Sequence, residues 1–496
     1  MNFRLSTTSD TSRHILKRIF LDSAASFVCK SAGIPLAYLT PLAIARLYGS
    51  EQMGTYTIAA NLVATIGVIC RLGLDLGILR FTASYPPSQQ PACLRSLLKP
   101  TLLLSWILSL IGGIFIYANG DFFVSRFHAP SLRAMLPVMA IALPVAVTLA
   151  VCSEATRALG GVRRVVFQLN ILTPVTLLSL VLIFHYFDII PIESRPKVLI
   201  WSFFFSILTA LLYLIFTLWP SLHSTPSGAT EERFQDLLRY SFPLFLSSLL
   251  TLGFAYCDTF IMGWVSTPNN VAHYVAAVKT ATIVSIPLLI IDYVVTPVFS
   301  RLHRMGDPSA LEDVARSTSR WMYYVALPLS FVTFIYSNDL LSAFGRDFPQ
   351  ASDSLRILLT AQLFNVTTGS VGFLLLMTGH QWAHITLKGS LGLFALPLMA
   401  FAAYSHGVTG LAFAKGAWLV LQNLLASILV WRLLHIKVFA NQILSANLGF
   451  ILGVFLYSCA TFYCGRIYSI FFFFLGYLPL VYPTVRAQFR TIFQCS

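Results

Sequence analysis

Charged side chains interrupt the apolar stretches of this 496-residue sequence, where they could pair with one another or bind an anionic ligand. The stretch IGVICRLGLDLGILRF, residues 66 to 81, contains Arg71 and Asp75. A continuous helix would carry both on one face, about 6 Å apart along its axis. Two interpretations stay open: an internal ion pair, or a charged face toward a wet interior, because one central charge facing lipid costs roughly 2.5 to 3.5 kcal/mol.

The same stretch contains Gly73 and Gly77, which fall on the opposite face of such a helix. Their GxxxG spacing lets another helix approach the backbone closely. The sequence therefore predicts a helix with one charged side and one packing side.

Lysines also occur inside apolar segments. Lys30, Lys279 and Lys415 have no acidic residue three or four positions away, so each needs a partner across the helix bundle or an anionic ligand. Lys388 lies in a similar segment, but its long stem allows the amine to reach the interface. At least one of Lys30, Lys279 and Lys415 is therefore a candidate to bind an anionic ligand.

Four acids lie in apolar segments: Asp75, Glu154, Asp258 and Asp292. Each could be a salt-bridge partner that lowers the cost of burying a base. Glu154 is three residues before Arg157, so a local ion pair is the simpler interpretation there.

Composition indicates which elements must position these side chains. Hydrophobic residues make up 57% of the chain and charged residues 10%, against roughly 25% charged in soluble proteins, and the mean hydropathy is +0.76. Apolar windows of about 20 residues, each long enough to cross a hydrocarbon layer, recur along the chain. We predict an all-α integral membrane protein with about fourteen transmembrane helices, beginning near residues 22, 54, 97, 132, 164, 197, 237, 271, 318, 352, 382, 408, 442 and 466.

The basic residues predict the orientation. With the N-terminus in the cytoplasm, the cytoplasmic segments would hold twenty Lys and Arg and the opposite loops eight. Short cytoplasmic loops accumulate such residues, so both termini are expected on the cytoplasmic side of the membrane. No cleaved signal peptide is predicted. The net charge of +14 is explained by orientation and contact with anionic lipids, so no nucleic-acid partner is expected.

The sequence repeats itself weakly. A shift of 218 residues superposes Tyr56 on Tyr274 and Ala59 on Ala277, and a shift of 219 places Gly160 on Gly379. We predict two pseudo-symmetric six-helix lobes related by an axis along the membrane normal. The boundaries are an N-lobe at residues 1–219, a cytoplasmic linker at 220–236, a C-lobe at 237–435 and two further helices at 436–496.

Familiar catalytic and metal-binding motifs are missing from the sequence. It has no GxxxxGK[ST], no GxSxG and no CxxC pair, and the eight cysteines are scattered. His380 and His384 are four residues apart but flank a turn, and no catalytic Glu lies between them. We predict no catalytic residue, metal site or cofactor.

Three segments carry a resemblance to a known family: RLYGSEQMGTYTIAANLV at 46–63, LGLDLGILRF at 72–81 and EATRALGGVRR at 154–164. Together they look like the Wzx-type polysaccharide flippases of the multidrug/oligosaccharidyl-lipid/polysaccharide (MOP) exporter superfamily. The resemblance extends over nearly the whole chain in helix number, repeat and linker position.

That resemblance implies a V-shaped pair of lobes that flips an undecaprenyl-diphosphate-linked oligosaccharide by alternating access, for O-antigen or capsule synthesis. It implies a cationic central cavity, in which Lys30, Arg71, Lys279 and Lys415 become the candidate substrate-binding residues. Because family members couple transport to H⁺ or Na⁺, Asp75, Asp258 and Asp292 become candidates for ion coupling. The implied partners are the lipid-linked oligosaccharide, membrane lipids, a polysaccharide polymerase and a chain-length regulator.

Two alternatives remain. A MATE-type exporter of small cationic molecules would share the architecture but favour an acidic cavity, whereas five intramembrane bases face four acids here. A membrane-embedded polysaccharide polymerase or acyltransferase would generally need a larger external loop or a polar catalytic cluster than this sequence offers.

Overall fold

The computed structural model describes residues 7–86, 88–186, 195–223, 234–438, 444–464 and 466–494. The described residues form helices joined by short connections, without a β-strand. Most of the predicted linker at 220–236 lies outside them. The α-helices, numbered in chain order, are α1 Thr7–Tyr48, α2 Ser50–Arg71, α3 Leu74–Ser84, α4 Gln90–Ala118, α5 Gly120–Arg126, α6 Leu132–Ala158, α7 Val162–Phe167, α8 Thr173–Tyr186, α9 Arg195–His223, α10 Phe234–Val265, α11 Pro268–Thr282, α12 Ile286–Met305, α13 Pro308–Ile335, α14 Ser337–Ser342, α15 Ser352–Thr368, α16 Val371–Met377, α17 Gln381–Leu434, α18 Leu444–Cys464 and α19 Arg466–Gln494.

Many of these helices can cross a membrane. In the described ranges, nine are long and apolar enough, or ten when the bent pair Phe348–Thr368 and Val371–Met377 is counted as one span. Helices satisfy all backbone hydrogen bonds within one segment, which hydrocarbon demands. The predicted all-α membrane fold is therefore confirmed. The number fourteen stays approximate, because α13 and the short apolar stretches Ala446–Thr461 and Tyr468–Tyr482 are not among the nine.

Helix α17 consists of two helical segments that meet at a kink. His406 (φ −131°, ψ 15°) and Gly407 (φ 58°, ψ −135°) have non-helical backbone angles inside it. Only glycine adopts the Gly407 conformation without strain, since it lacks a Cβ. The break agrees with the separate helices predicted to begin near residues 382 and 408.

The chain forms two compact units, Met1–His273 and Tyr274–Ser496. The first unit includes α10, which packs against α2 and α3. The core of the first unit includes Leu74, Val151 and Leu237, contributed by α3, α6 and α10.

In the second unit, α18 and α19 pack against each other and against α13. Phe331 of α13 stacks on Phe473 of α19, with 4.4 Å between ring centroids. Phe473 is fully buried, whereas Phe471, two residues earlier, is 67% exposed. The phenylalanine run of α19 therefore serves both the core and the surface.

Candidate functional site

The charged stretch does not form one continuous helix. Leu72 (φ 49°) and Gly73 (φ 74°) both adopt the left-handed conformation and separate α2 from α3. The expectation that Arg71 and Asp75 share a face of one helix is therefore wrong. Arg71 lies in the last turn of α2, and Asp75 lies in the first turn of α3.

The two side chains nevertheless meet across this break. Arg71 Nη1 is 2.9 Å from Asp75 Oδ2, and Arg71 Nε donates to the Gly67 carbonyl at 3.1 Å. The side chains are only 20% and 11% exposed. A cation at a helix C-terminus and an anion at an N-terminus are each favourable, so both helix ends support this pair.

A second ion pair lies close to the first. Glu154 of α6 accepts two hydrogen bonds from Arg157 Nη1, at 2.9 and 3.0 Å, and also interacts electrostatically with Arg71 and Asp75. The four formal charges sum to zero. Of the two interpretations that the sequence left open, local ion pairing is therefore what the structure shows, for Arg71 with Asp75 and for Arg157 with Glu154. The charge of Arg71 is compensated.

The glycine face of the break packs as the sequence predicts. A Cβ atom on Gly73 would lie 2.5 Å from the carbonyl oxygen of Ser241, and one on Gly77 would lie 2.2 Å from Ser241 Oγ. Real side-chain atoms do not come this close, so both glycines are needed where α10 crosses α3. The sequence did not identify Ser241 as the residue against which these two glycines pack.

Two other predicted residues belong to the first unit. Lys30 is half-buried on α1. Asp258 on α10 is 5% exposed, and its Oδ1 accepts a hydrogen bond of 2.8 Å from the backbone N–H of Thr259.

The remaining candidates belong to the second unit. Lys279 on α11 and Lys388 on α17 are exposed, and neither has a carboxylate within 4 Å among the described residues. Lys415 on α17 is half-buried, with Nζ 4.9 Å above the centroid of the Trp418 ring. Asp292 on α12 accepts a hydrogen bond from Ser370.

A polar network in the second unit was not identified from the sequence. Asn423 Nδ2 of α17 donates to Asn365 Oδ1 of α15 at 2.9 Å, and Asn365 Nδ2 donates to Gln362 Oε1 at 3.2 Å. Asn423 is eight residues after Lys415, so both lie near one face of the helix. The feature of the sequence that could have indicated this network is the recurrence of amide side chains at helical spacing inside apolar windows.

The fold resembles those of a solved lipid flippase and of solved transporters. A lipid II flippase, MurJ, in an inward closed conformation matches with a TM-score of 0.71 and 14% identity, over 94% of this chain and 99% of that one. An inward-facing MATE family multidrug resistance transporter matches with a TM-score of 0.62 and 14% identity, over 83% and 94% of the two chains. A MOP superfamily transporter from Pyrococcus furiosus matches with a TM-score of 0.53 and 15% identity, over 85% of this chain and 95% of that one. These likenesses show that the chain shares the fold of these proteins.

Two family models match the sequence. One, described as polysaccharide biosynthesis protein, matches residues 22–303, and the other, MatE, matches residues 243–380. Because the first covers more than half of the chain, the protein belongs to the polysaccharide biosynthesis protein family. A comparison with curated proteins finds no match.

Proposed function

We propose that the protein flips an undecaprenyl-diphosphate-linked oligosaccharide across the bacterial inner membrane for surface polysaccharide synthesis. It acts by alternating access and catalyses no covalent reaction. Membership of the polysaccharide biosynthesis family and the MOP fold support this class of function. The lysines discussed next support the choice of cargo.

The observation that carries the cargo assignment is that two lysines of apolar segments, Lys279 and Lys388, are exposed and have no carboxylate within 4 Å among the described residues. The ion pairs of this part of the chain, Arg71 with Asp75 and Arg157 with Glu154, do not include either lysine. A positive, hydrated path lowers the cost of moving a diphosphate through the low-dielectric interior.

Exposed Lys279 is the sharpest test of this assignment. In proteoliposomes, a fluorescent polyprenyl-diphosphate oligosaccharide becomes accessible to a membrane-impermeant reagent when it is flipped. We expect K279Q to lower the rate of flipping by about tenfold, as the loss of one charge-assisted contact would. K437Q, which removes an exposed lysine after α17, is the matched control and should flip at the native rate. Unchanged flipping by K279Q contradicts the cargo assignment.

Ion coupling is proposed for Asp75, Asp258 and Asp292. Imposed pH and sodium gradients would be compared in the same vesicles, with D258N and D292N as variants. The proposal requires that one gradient accelerates flipping and that at least one variant loses this acceleration.

A second candidate function is export of small molecules. The MatE match at residues 243–380 and the likeness to MATE transporters favour it. Uptake of a cationic dye into inverted vesicles, with no flipping of the lipid-linked glycan, would select this function instead.

The cytoplasmic position of both termini is proposed from the distribution of basic residues, and cysteine accessibility at the two ends tests it. A polymerase and a chain-length regulator are proposed as partners, and crosslinking in native membranes tests them.

A further inference from the structure

Helices α3 and α10 enclose a groove that the transport proposal does not use. One cavity of about 360 Å³ is lined by Arg80, Asp236, Arg239 and Tyr240, among others. A second hollow of about 530 Å³ adjoins it, and Arg80 and Leu244 line both. We name these two hollows together the α3–α10 groove. All of its lining residues belong to the first compact unit.

The polar end of the groove is basic and pre-organised. The Arg80 guanidinium carbon lies 4.9 Å from the centroid of the Tyr240 ring, which in turn meets Phe81 edge to face at 5.4 Å. Stacking on a ring face fixes a guanidinium while its N–H groups stay free for an anion. Among the described residues, neither Arg80 nor Arg239 has a carboxylate within 4 Å.

The other end of the groove is apolar. Leu76 and Leu79 of α3 and Leu244 of α10 line it. Arg80 and Arg239 lie about 6 to 8 Å from the ends of their helices, whereas Leu76 and Leu244 lie about 12 to 15 Å from the same ends. The groove therefore changes from charged to apolar with depth, as a phospholipid does from headgroup to acyl chain.

Charge selects among the anionic lipids. Arg80 and Arg239 supply two positive charges and Asp236 supplies one negative charge, so the polar end has a net charge of +1. A phosphodiester carries one negative charge and matches it, whereas a diphosphate would exceed it.

We propose that the α3–α10 groove binds an anionic phospholipid whose headgroup carries one net negative charge, that of its phosphodiester. The phosphate lies between Arg80 and Arg239, and one acyl chain follows Leu76, Leu79 and Leu244. Such a lipid bridges α3 and α10 beside the close contact of Gly77 with Ser241. This proposal is independent of the transported substrate.

The test measures lipid retention by native mass spectrometry and thermal stability in nanodiscs. Dioleoyl phosphatidylglycerol is compared with dioleoyl phosphatidylcholine, whose headgroup has no net charge. We expect the native protein to retain phosphatidylglycerol preferentially and R80Q/R239Q to lose at least about tenfold in affinity. R80K/R239K should keep part of the affinity, because the charge remains. The control R301Q/R304Q removes two exposed arginines from the end of α12 and should behave as the native protein.

Two further arms separate the possible sources of the phosphate. Soluble glycerophosphoglycerol, the deacylated headgroup of phosphatidylglycerol, should not compete at the same concentration, because it has the phosphodiester but lacks the acyl chains. D236N raises the net charge of the groove to +2 and should shift its preference toward phosphatidic acid or cardiolipin. The proposal is overturned if R80Q/R239Q retains phosphatidylglycerol like the control, if glycerophosphoglycerol competes fully, or if D236N leaves the preference unchanged.

Discussion

The Arg71–Asp75 pair allows a quantitative test of how the break between α2 and α3 is stabilised. The charges lie 2.9 Å apart at their nearest atoms and are mostly shielded from solvent. A hydrogen bond between charged groups contributes about 1.5 to 3 kcal/mol, so R71Q and D75N should each lower the unfolding free energy by about that amount. In R71Q/D75N no unpaired charge remains, and we expect a coupling energy of about 1 to 3 kcal/mol.

Reversing the pair isolates the contribution of the helix ends. R71D/D75R keeps the attraction but places an anion at the C-terminus of α2 and a cation at the N-terminus of α3. Each helix-end interaction contributes about 0.3 to 1 kcal/mol and changes sign, so the reversed pair should be less stable by about 1 to 4 kcal/mol.

Denaturant titration in detergent micelles, followed by tryptophan fluorescence, measures all these variants. The matched control is the exposed pair Arg133–Asp121, whose side chains are 73% and 81% exposed and whose coupling should stay below about 0.5 kcal/mol. Equal coupling in the two cycles would refute the argument from burial. A reversed pair as stable as the native one would refute the argument from helix ends.

Three further predictions concern stability. G77A should cost about 1 to 3 kcal/mol, because its methyl group would overlap α10, whereas G253A, which has open space around it, should be nearly neutral in the same titration. N423A should cost about 1 kcal/mol in denaturant titration, because it removes the donor that joins α17 to α15. The N-terminus of α13 should fray in acid, because the hydrogen bond from the backbone N–H of Ala310 holds the pKa of Asp307 below its usual value. The stabilisation that the ionised Asp307 carboxylate gives to this helix end is present above about pH 3.9, and it is lost as the pH falls through the lower pKa of the folded state. Hydrogen exchange of α13 should show the change, and D307A should show faster exchange already at pH 7.

The sequence predicted those features that depend on local properties. Apolar windows predict helices in a membrane because no other open structure satisfies the backbone there. Residues three apart on α6 predict the Glu154–Arg157 pair, because such side chains are neighbours on a helix. The Arg71–Asp75 pair forms although the helix from which its spacing was argued is interrupted between the two residues. The helices predicted from apolar windows to begin near residues 382 and 408 correspond to the two parts of α17, and Gly407, whose backbone conformation only glycine adopts without strain, lies at the break between them.

Other features depend on which segments meet in space, and the sequence did not predict them. Leu72 adopts the left-handed conformation although leucine disfavours it, so no local signal marks the break at this residue. Ser241 is more than 160 residues from Gly77, and only the packing of α10 on α3 brings them together. The hydrogen bond between Asn365 and Asn423 likewise joins two helices whose adjacency is a matter of topology.

The structure separates the predicted binding residues by what a ligand would have to displace. At Arg71 an anion must compete with Asp75 and with the Gly67 carbonyl, so binding there breaks an existing ion pair. At Lys279 no such carboxylate lies within 4 Å among the described residues, so an anion gains the full interaction. Replacing Arg71 should therefore reduce stability more than transport, and replacing Lys279 should reduce transport more than stability. If both variants lose stability and transport in the same proportion, the two residues have the same role and the distinction fails.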